Sequence, residues 1–154
     1  MILGVGNPLR GDDGVGPTLI RRLRRRCKFA LLDCGEAPEN YTKQILQFGP
    51  DTLILVDAAD WKGRPGEIRQ IGEDEIANAN FFTHNLSLRL FLDYLKRQLR
   101  TSIIILAVQV KDREYLDPMS PEVKRAIGVL EDLICSLPGP MASESPESYP
   151  PGLR

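Results

Sequence analysis

A chain of 154 residues that is 42% apolar and 27% charged has the length and makeup of one soluble globular domain with its own core. Its net charge of −1 sets up no overall field for nucleic acid, and apolar runs such as 103–108 are far too short to span a bilayer. Neither nucleic acid nor a membrane is therefore an expected partner.

Residues 1–5 read as a first strand, entered directly from Met1 with no signal-peptide pattern. A loop follows with glycines at 4, 6, 11, 14 and 16 and two adjacent carboxylates, Asp12 and Asp13. A helix over 15–27 carries Pro17 in its first turn and an apolar stripe of Val15, Leu19, Ile20, Leu23 and Cys27. The basic run 21–28 (RRLRRRCK) lies on this helix without interleaved aromatics. It reads as a solvated face, with a docking patch for an acidic surface as the alternative. A second strand spans 29–34, and a short helix over 39–48 ends at Gly49-Pro50.

The segment 52–57 (TLILVD) is a continuous apolar run of the kind found in buried parallel strands. A turn at 62–66 (KGRPG) leads to a short strand at 67–71, expected to be antiparallel because so short a connection cannot make a parallel crossover. Thr83 is placed to cap a helix running to Gln98, with Leu86, Leu90, Phe91, Tyr94 and Leu95 as its buried face. A buried strand at 102–108 and a last helix at 121–137 complete the pattern. Strands alternating with helices define an α/β class: three layers, a five-stranded, mostly parallel twisted sheet with one antiparallel strand, and helices on both faces. Residues 1–137 form the single domain, and 138–154, rich in Pro, Gly and Ser, read as a flexible tail. Cys27, Cys34 and Cys135 form no C-x-x-C pair, so neither a zinc knuckle nor a disulfide framework is indicated. Each reads as a small buried hydrophobe, and the expected compartment is a reducing cytoplasm.

The glycine-rich loop is not a nucleotide loop. Gly4 and Gly6 fit a dinucleotide fingerprint, but its sixth position is Leu9, and no Gly-Lys-Ser/Thr closes a Walker loop. Asp12 and Asp13 would also repel phosphate. Asp12 reads as structural, holding loop N–H groups. Asp13 after the first strand, Asp57 at the end of TLILVD and the single histidine, His84, form the candidate constellation. In open α/β sheets ligands bind outside the carboxyl ends of strands where the strand order reverses. With the second strand on one side of the first and TLILVD on the other, both aspartates face that crevice. Two carboxylates and an imidazole leave open positions on a cation and suit a borderline ion such as zinc or nickel. Taken singly, Asp13 is equally a helix N-cap, Asp57 a turn stabiliser and His84 a satisfied structural group.

The set of motifs resembles the nickel–iron hydrogenase maturation endopeptidases, in particular those that process the large subunit of hydrogenase 3. The matching stretches are GVGNPLRGDDGVG at 4–16, CGEAPEN at 34–40, LILVDAADWKGRPGEIR at 53–69, FTHN at 82–85 and DPMSPEVKRAI at 117–127. The resemblance implies a twisted five-stranded mixed sheet between helices. It implies a hydrolase that removes a short C-terminal peptide from the large-subunit precursor once nickel is inserted. It places the metal contacts, and with them the catalytic set, on Asp13, Asp57 and His84. Nickel is expected to arrive on the cysteines of the precursor, and zinc or cadmium to be able to occupy the site in vitro. With no G-x-S-x-G elbow and no H-E-x-x-H helix, the expected chemistry is metal-directed cleavage. In a weaker form, the metal only anchors the substrate and a carboxylate activates water, as in an aspartyl-type endopeptidase. The rival readings are a metal-sensing chaperone that binds precursor without cutting it, and a protease with an unrelated substrate.

Overall fold

The computed structural model describes residues 1–72, 75 and 85–139, with the side chains of 85–87 excepted. Five strands, β1 (Ile2–Val5), β2 (Leu31–Gly35), β3 (Thr52–Ala59), β4 (Ile68–Ile71) and β5 (Ser102–Gln109), form one sheet in the order β2-β1-β3-β5-β4. All neighbours are parallel except β4, which runs antiparallel to β5 with Ile68 opposite Val108. Two helices, α1 (Val15–Leu23) and α4 (Pro121–Ser136), cover one face, while α2 (Thr42–Phe48) and α3 (Asn85–Gln98) cover the other.

The apolar run of β3 is explained by this double cover. Leu53, Leu55 and Ala59 join one core with Ile45, Phe91 and Leu95, and Val56 and Ala58 join the other with Leu19, Ile127 and Leu130. Alternate residues face opposite layers, so both parities must be apolar. Under β1 the backbones of strand and helix touch. A Cβ on Gly4 would collide with the carbonyl of Gly16, and one on Gly16 with the backbone of Val5. That contact sets α1 directly beneath the acidic loop.

Several elements differ from their sequence reading. The short strand is antiparallel as expected, but its neighbour is β5 rather than β3. β5 occupies the place beside β3 along its full length, and the connection from β3 steps over it, with Gly66 N–H donating to Gln109 O and Gln109 N–H to Glu67 O, both at 2.8 Å. β3 continues to Ala59, so Asp57 lies inside the strand rather than at its end. The 39–48 helix divides into a 3-10 turn at Pro38–Tyr41 and α2. Among the described side chains of α3, Leu88, Phe91, Leu92 and Leu95 are buried and Leu90 and Tyr94 exposed, while Leu86 lies outside them. This helix carries two overlapping apolar stripes, and packing into the core with Ile45, Leu53 and Leu55 selects the one containing Leu88 and Leu92. Cys34 is buried, but Cys27 and Cys135 are only half-buried. The Thr83 cap and tail residues 140–154 lie outside the described residues.

Candidate active site

The glycines of the loop after β1 let its backbone close on Asp13. Gly6 adopts φ +128, where a side chain would meet the carbonyl of Asp13, and its N–H donates to Gly35 O at 2.8 Å. The chain then returns through a single 3-10 turn, Gly11–Gly14, that runs straight into α1. Asp13 caps neither helix. Its Oδ2 accepts the Asn7 N–H across the loop at 2.8 Å. Asp12 turns the other way and is saturated. Its carboxylate accepts the N–H groups of Lys111 (2.8 Å), Asp112 (3.2 Å) and Ser120 (2.6 Å) and the Ser120 hydroxyl (3.0 Å). Asp12 therefore holds loop N–H groups as its sequence reading proposed, with the loop after β5 as the one it holds.

Asp57 lies on the sheet face of Leu53, Leu55 and Ala59, the face on which α3 packs. Its Oδ1 accepts the Ala58 N–H at 2.7 Å. Burial pushes its carboxyl up to about 7, opposed by the Ala58 N–H, reinforced by the Asp13 carboxylate, and opposed again by the Arg113 guanidinium. The structure thus brings Asp13 and Asp57 together across β1 and β3, two strands whose neighbours lie on opposite sides. Both residues are buried. Among the described residues, no hydrogen bond reaches Asp13 Oδ1 or Asp57 Oδ2. Two buried, mutually repelling carboxylates, each aimed by one N–H and each keeping an oxygen, fit a divalent cation.

His84 lies outside the described residues, which hold no group of three His, Cys, Asp or Glu able to bind a metal ion. The helix that follows it is placed by topology. Residues 99–101 join α3 to the first residue of β5 at the amino edge, so α3 begins towards the carboxyl edge, about 21 Å away along its axis.

Other polar residues support the site without entering it. The side chain of Gln109, 3% exposed, is fully used. Its Nε2 donates to Asp60 Oδ1 (3.0 Å) and Val110 O (2.8 Å), and its Oε1 accepts the N–H groups of Trp61 (3.0 Å) and Gly63 (3.1 Å). Asp60 is held well below the usual carboxylate range by the Lys62 ammonium, the Gln109 amide and the Lys62 N–H. The Arg69 guanidinium lies over the Trp61 ring, 5.0 Å from its centre, and pairs with Glu67 at 3.0 Å. Residues 60–69, after Asp57, are accordingly a scaffold for the β3–β4 connection. Gln109, Ser120 and Arg113 were missed in the sequence reading. A lone amide ending the apolar run AVQV, and Ser-Pro-Glu opening a helix, were the available signals for the first two. Arg113 gave none.

The five-stranded, mostly parallel sheet with one antiparallel strand matches the fold of known hydrogenase maturation endopeptidases. The chain is similar to the solution structure of the endopeptidase HycI from Escherichia coli, with a TM-score of 0.78, 36% identity and 86% of each chain covered. It is equally similar to the crystal structure of a nickel–iron hydrogenase maturation protease HycI from Thermococcus kodakarensis, with a TM-score of 0.78, 32% identity and 87% and 88% of the two chains covered. The hydrogenase 3 maturation protease of Escherichia coli is 37% identical over 130 residues, 82% of this chain and 83% of that one. The family model HycI, hydrogenase maturation protease, matches residues 15–137. The chain belongs to this family of hydrogenase maturation proteases, and it is an enzyme of the hydrolase class.

Proposed function

We propose that this protease removes a short C-terminal peptide from the nickel-loaded precursor of a hydrogenase large subunit, and that Asp13, Asp57 and His84 complete the shell of the nickel the precursor carries. C-terminal processing of a large-subunit precursor is the activity that family membership supports. The observation that carries the site assignment is the carboxylate pair: two buried acids near the carboxyl edge of the sheet, each with one oxygen that accepts no hydrogen bond from the described residues. A structural pair would have been saturated as Asp12 is. Nickel here is cargo of the substrate, with zinc or cadmium as competitors in vitro, and three ligands, two of them carboxylates, make a weak cage until the precursor's thiolates add soft donors.

In hydrolysis, water adds to the scissile carbonyl, the carbon–nitrogen bond breaks, and a proton passes to the leaving amine. Asp13 and Asp57 would hold the ion that the precursor carries, and an ion held there would supply Lewis-acid polarisation of the scissile carbonyl. A second reading, with the metal only as an anchor and Asp57 as the base, draws on the carboxyl of Asp57 standing near neutral. Among the described residues no helix is long and apolar enough to cross a membrane. The proposed compartment is the cytoplasm.

The test incubates purified protein with nickel-loaded and nickel-free precursor and reads the loss of the C-terminal peptide by mass spectrometry. Cleavage is expected of the loaded form alone. Efficient cleavage of a rigorously nickel-free precursor would overturn the role given to nickel, and binding without cleavage would favour a chaperone.

A further inference from the structure

The loops after β1 and β5, which flank Asp12 and Asp13, carry an exposed apolar rim. Leu9 in the loop after β1 and Tyr115 and Leu116 in the loop after β5 are 52%, 63% and 71% exposed. The two loops are joined by their backbones, with Leu116 N–H donating to Leu9 O at 2.8 Å. Leu116 stands at φ +67, a left-handed conformation that disfavours every side chain with a Cβ, yet it is not glycine. Among the described residues Lys62 is the other non-glycine of this kind, and it closes on Asp60 through both its N–H and its ammonium. Leu116 projects into solvent instead. Strain held by the surrounding structure, spent on exposing a large apolar side chain beside a reactive site, is a mark of a contact surface.

The rim is also tied rigidly to the reactive carboxylates. The loop that bears it is pinned at both ends, at Lys111 and Asp112 and again at Ser120, by the carboxylate of Asp12. Asp13 is the next residue. The Glu114 N–H is tied to Asp112 Oδ1 at 3.0 Å, which leaves the tip little freedom to withdraw.

We propose that Leu9, Tyr115 and Leu116 form the seat for apolar side chains of the precursor segment that flanks the scissile bond. The inference rests on the proposed activity for the identity of that segment. The occupant is apolar because the projecting groups are, while the charged residues of the two loops, Arg10, Lys111 and Arg113 against Asp112, Glu114 and Asp117, are balanced in sign and select neither an acidic nor a basic partner. The rim adjoins the one place a protein substrate must enter. Leu133 lacks that continuity, since it sits on α4 about 20 Å along the helix from Ser120.

The test compares Leu116→Gly, Leu9→Ser and Leu133→Ser with the unsubstituted enzyme on nickel-loaded precursor. Leu116→Gly should raise the melting temperature, because glycine accepts φ +67 freely, while raising KM roughly five- to thirtyfold with kcat kept. Leu9→Ser should raise KM in the same way, Leu116→Met should restore it, and Leu133→Ser should leave it unchanged. A purely structural role would move stability and KM together. Affinity for the precursor, measured by a binding titration, reads the rim without cleavage. If the unsubstituted enzyme binds but does not cut, weaker binding by Leu116→Gly keeps the rim and overturns the activity. An affinity and KM equal to those of the unsubstituted enzyme in both Leu116→Gly and Leu9→Ser would overturn the rim. So would a concentration-dependent dimer that Leu116→Gly abolishes, since it would assign the rim to a second copy.

Discussion

Asp12 and Asp57 are both buried aspartates near the carboxyl edge of the same sheet, and they are solvated in opposite ways. Asp12 accepts four hydrogen bonds from a loop a hundred residues away, and Asp57 accepts one from its own neighbour. A carboxylate whose oxygens are all engaged has nothing left for a ligand and can only hold structure. One that is buried, under-supplied with donors and beside a second acid is held at a cost to stability, and the cost is recovered when a cation arrives. The degree of saturation therefore separates the residue that holds the loops from the residues proposed to act between them.

The comparison breaks if both kinds of residue fail alike. Asp13→Asn, Asp57→Asn and His84→Ala are expected to slow cleavage of nickel-loaded precursor by at least about a hundredfold while circular dichroism and melting remain those of a folded protein, because loss even of a residue behind a metal ligand costs ten- to a hundredfold. Near-normal cleavage by any of them would remove that residue from the site.

Asp12→Ala should behave in the reverse way. It strands the N–H groups of Lys111, Asp112 and Ser120 together, and the expected loss is about 3–5 kcal/mol in urea unfolding. A loss under about 1 kcal/mol would show that the loop after β5 does not depend on it.

Asp57→Asn sharpens the contrast through pH. The folded protein holds the Asp57 proton up to about pH 7, whereas the ordinary carboxyl releases it near 3.8. Folding therefore binds a proton between these values, and the native state of the metal-free protein loses stability as pH rises from about 4 to about 7. The substitution removes that loss. It should stabilise the metal-free protein at pH 8 by at most ~4 kcal/mol, with the gain vanishing below pH 4. A gain independent of pH would point to packing instead. Smallest is Ser120→Ala, which deletes the hydroxyl that accepts the Val123 N–H at 3.3 Å and donates to Asp12, for an expected 1–2 kcal/mol, roughly the cost of a lost N-cap.

Much of the molecule follows from local chemistry and was legible in the chain. TLILVD can only be a strand covered on both faces. The glycines between 4 and 16 demand a tight turn under a helix, and acids on that turn demand a counter-charge or donors. From these the α/β class and the choice of Asp13 and Asp57 follow, while the place of β1 between β2 and β3 entered as a condition that the sheet order meets. Tertiary structure decided what depends on partners distant in sequence. Nothing within a few residues of Asp12 distinguishes it from Asp13, since its donors lie at 111, 112 and 120. Nothing in the KGRPG turn says that β5 will take the place beside β3. On α3, the stripe through Leu90 and Tyr94 is as helical in period as the one that is buried. Periodicity reports that a helix has an apolar side, but where two sides compete, the surface it packs against makes the choice.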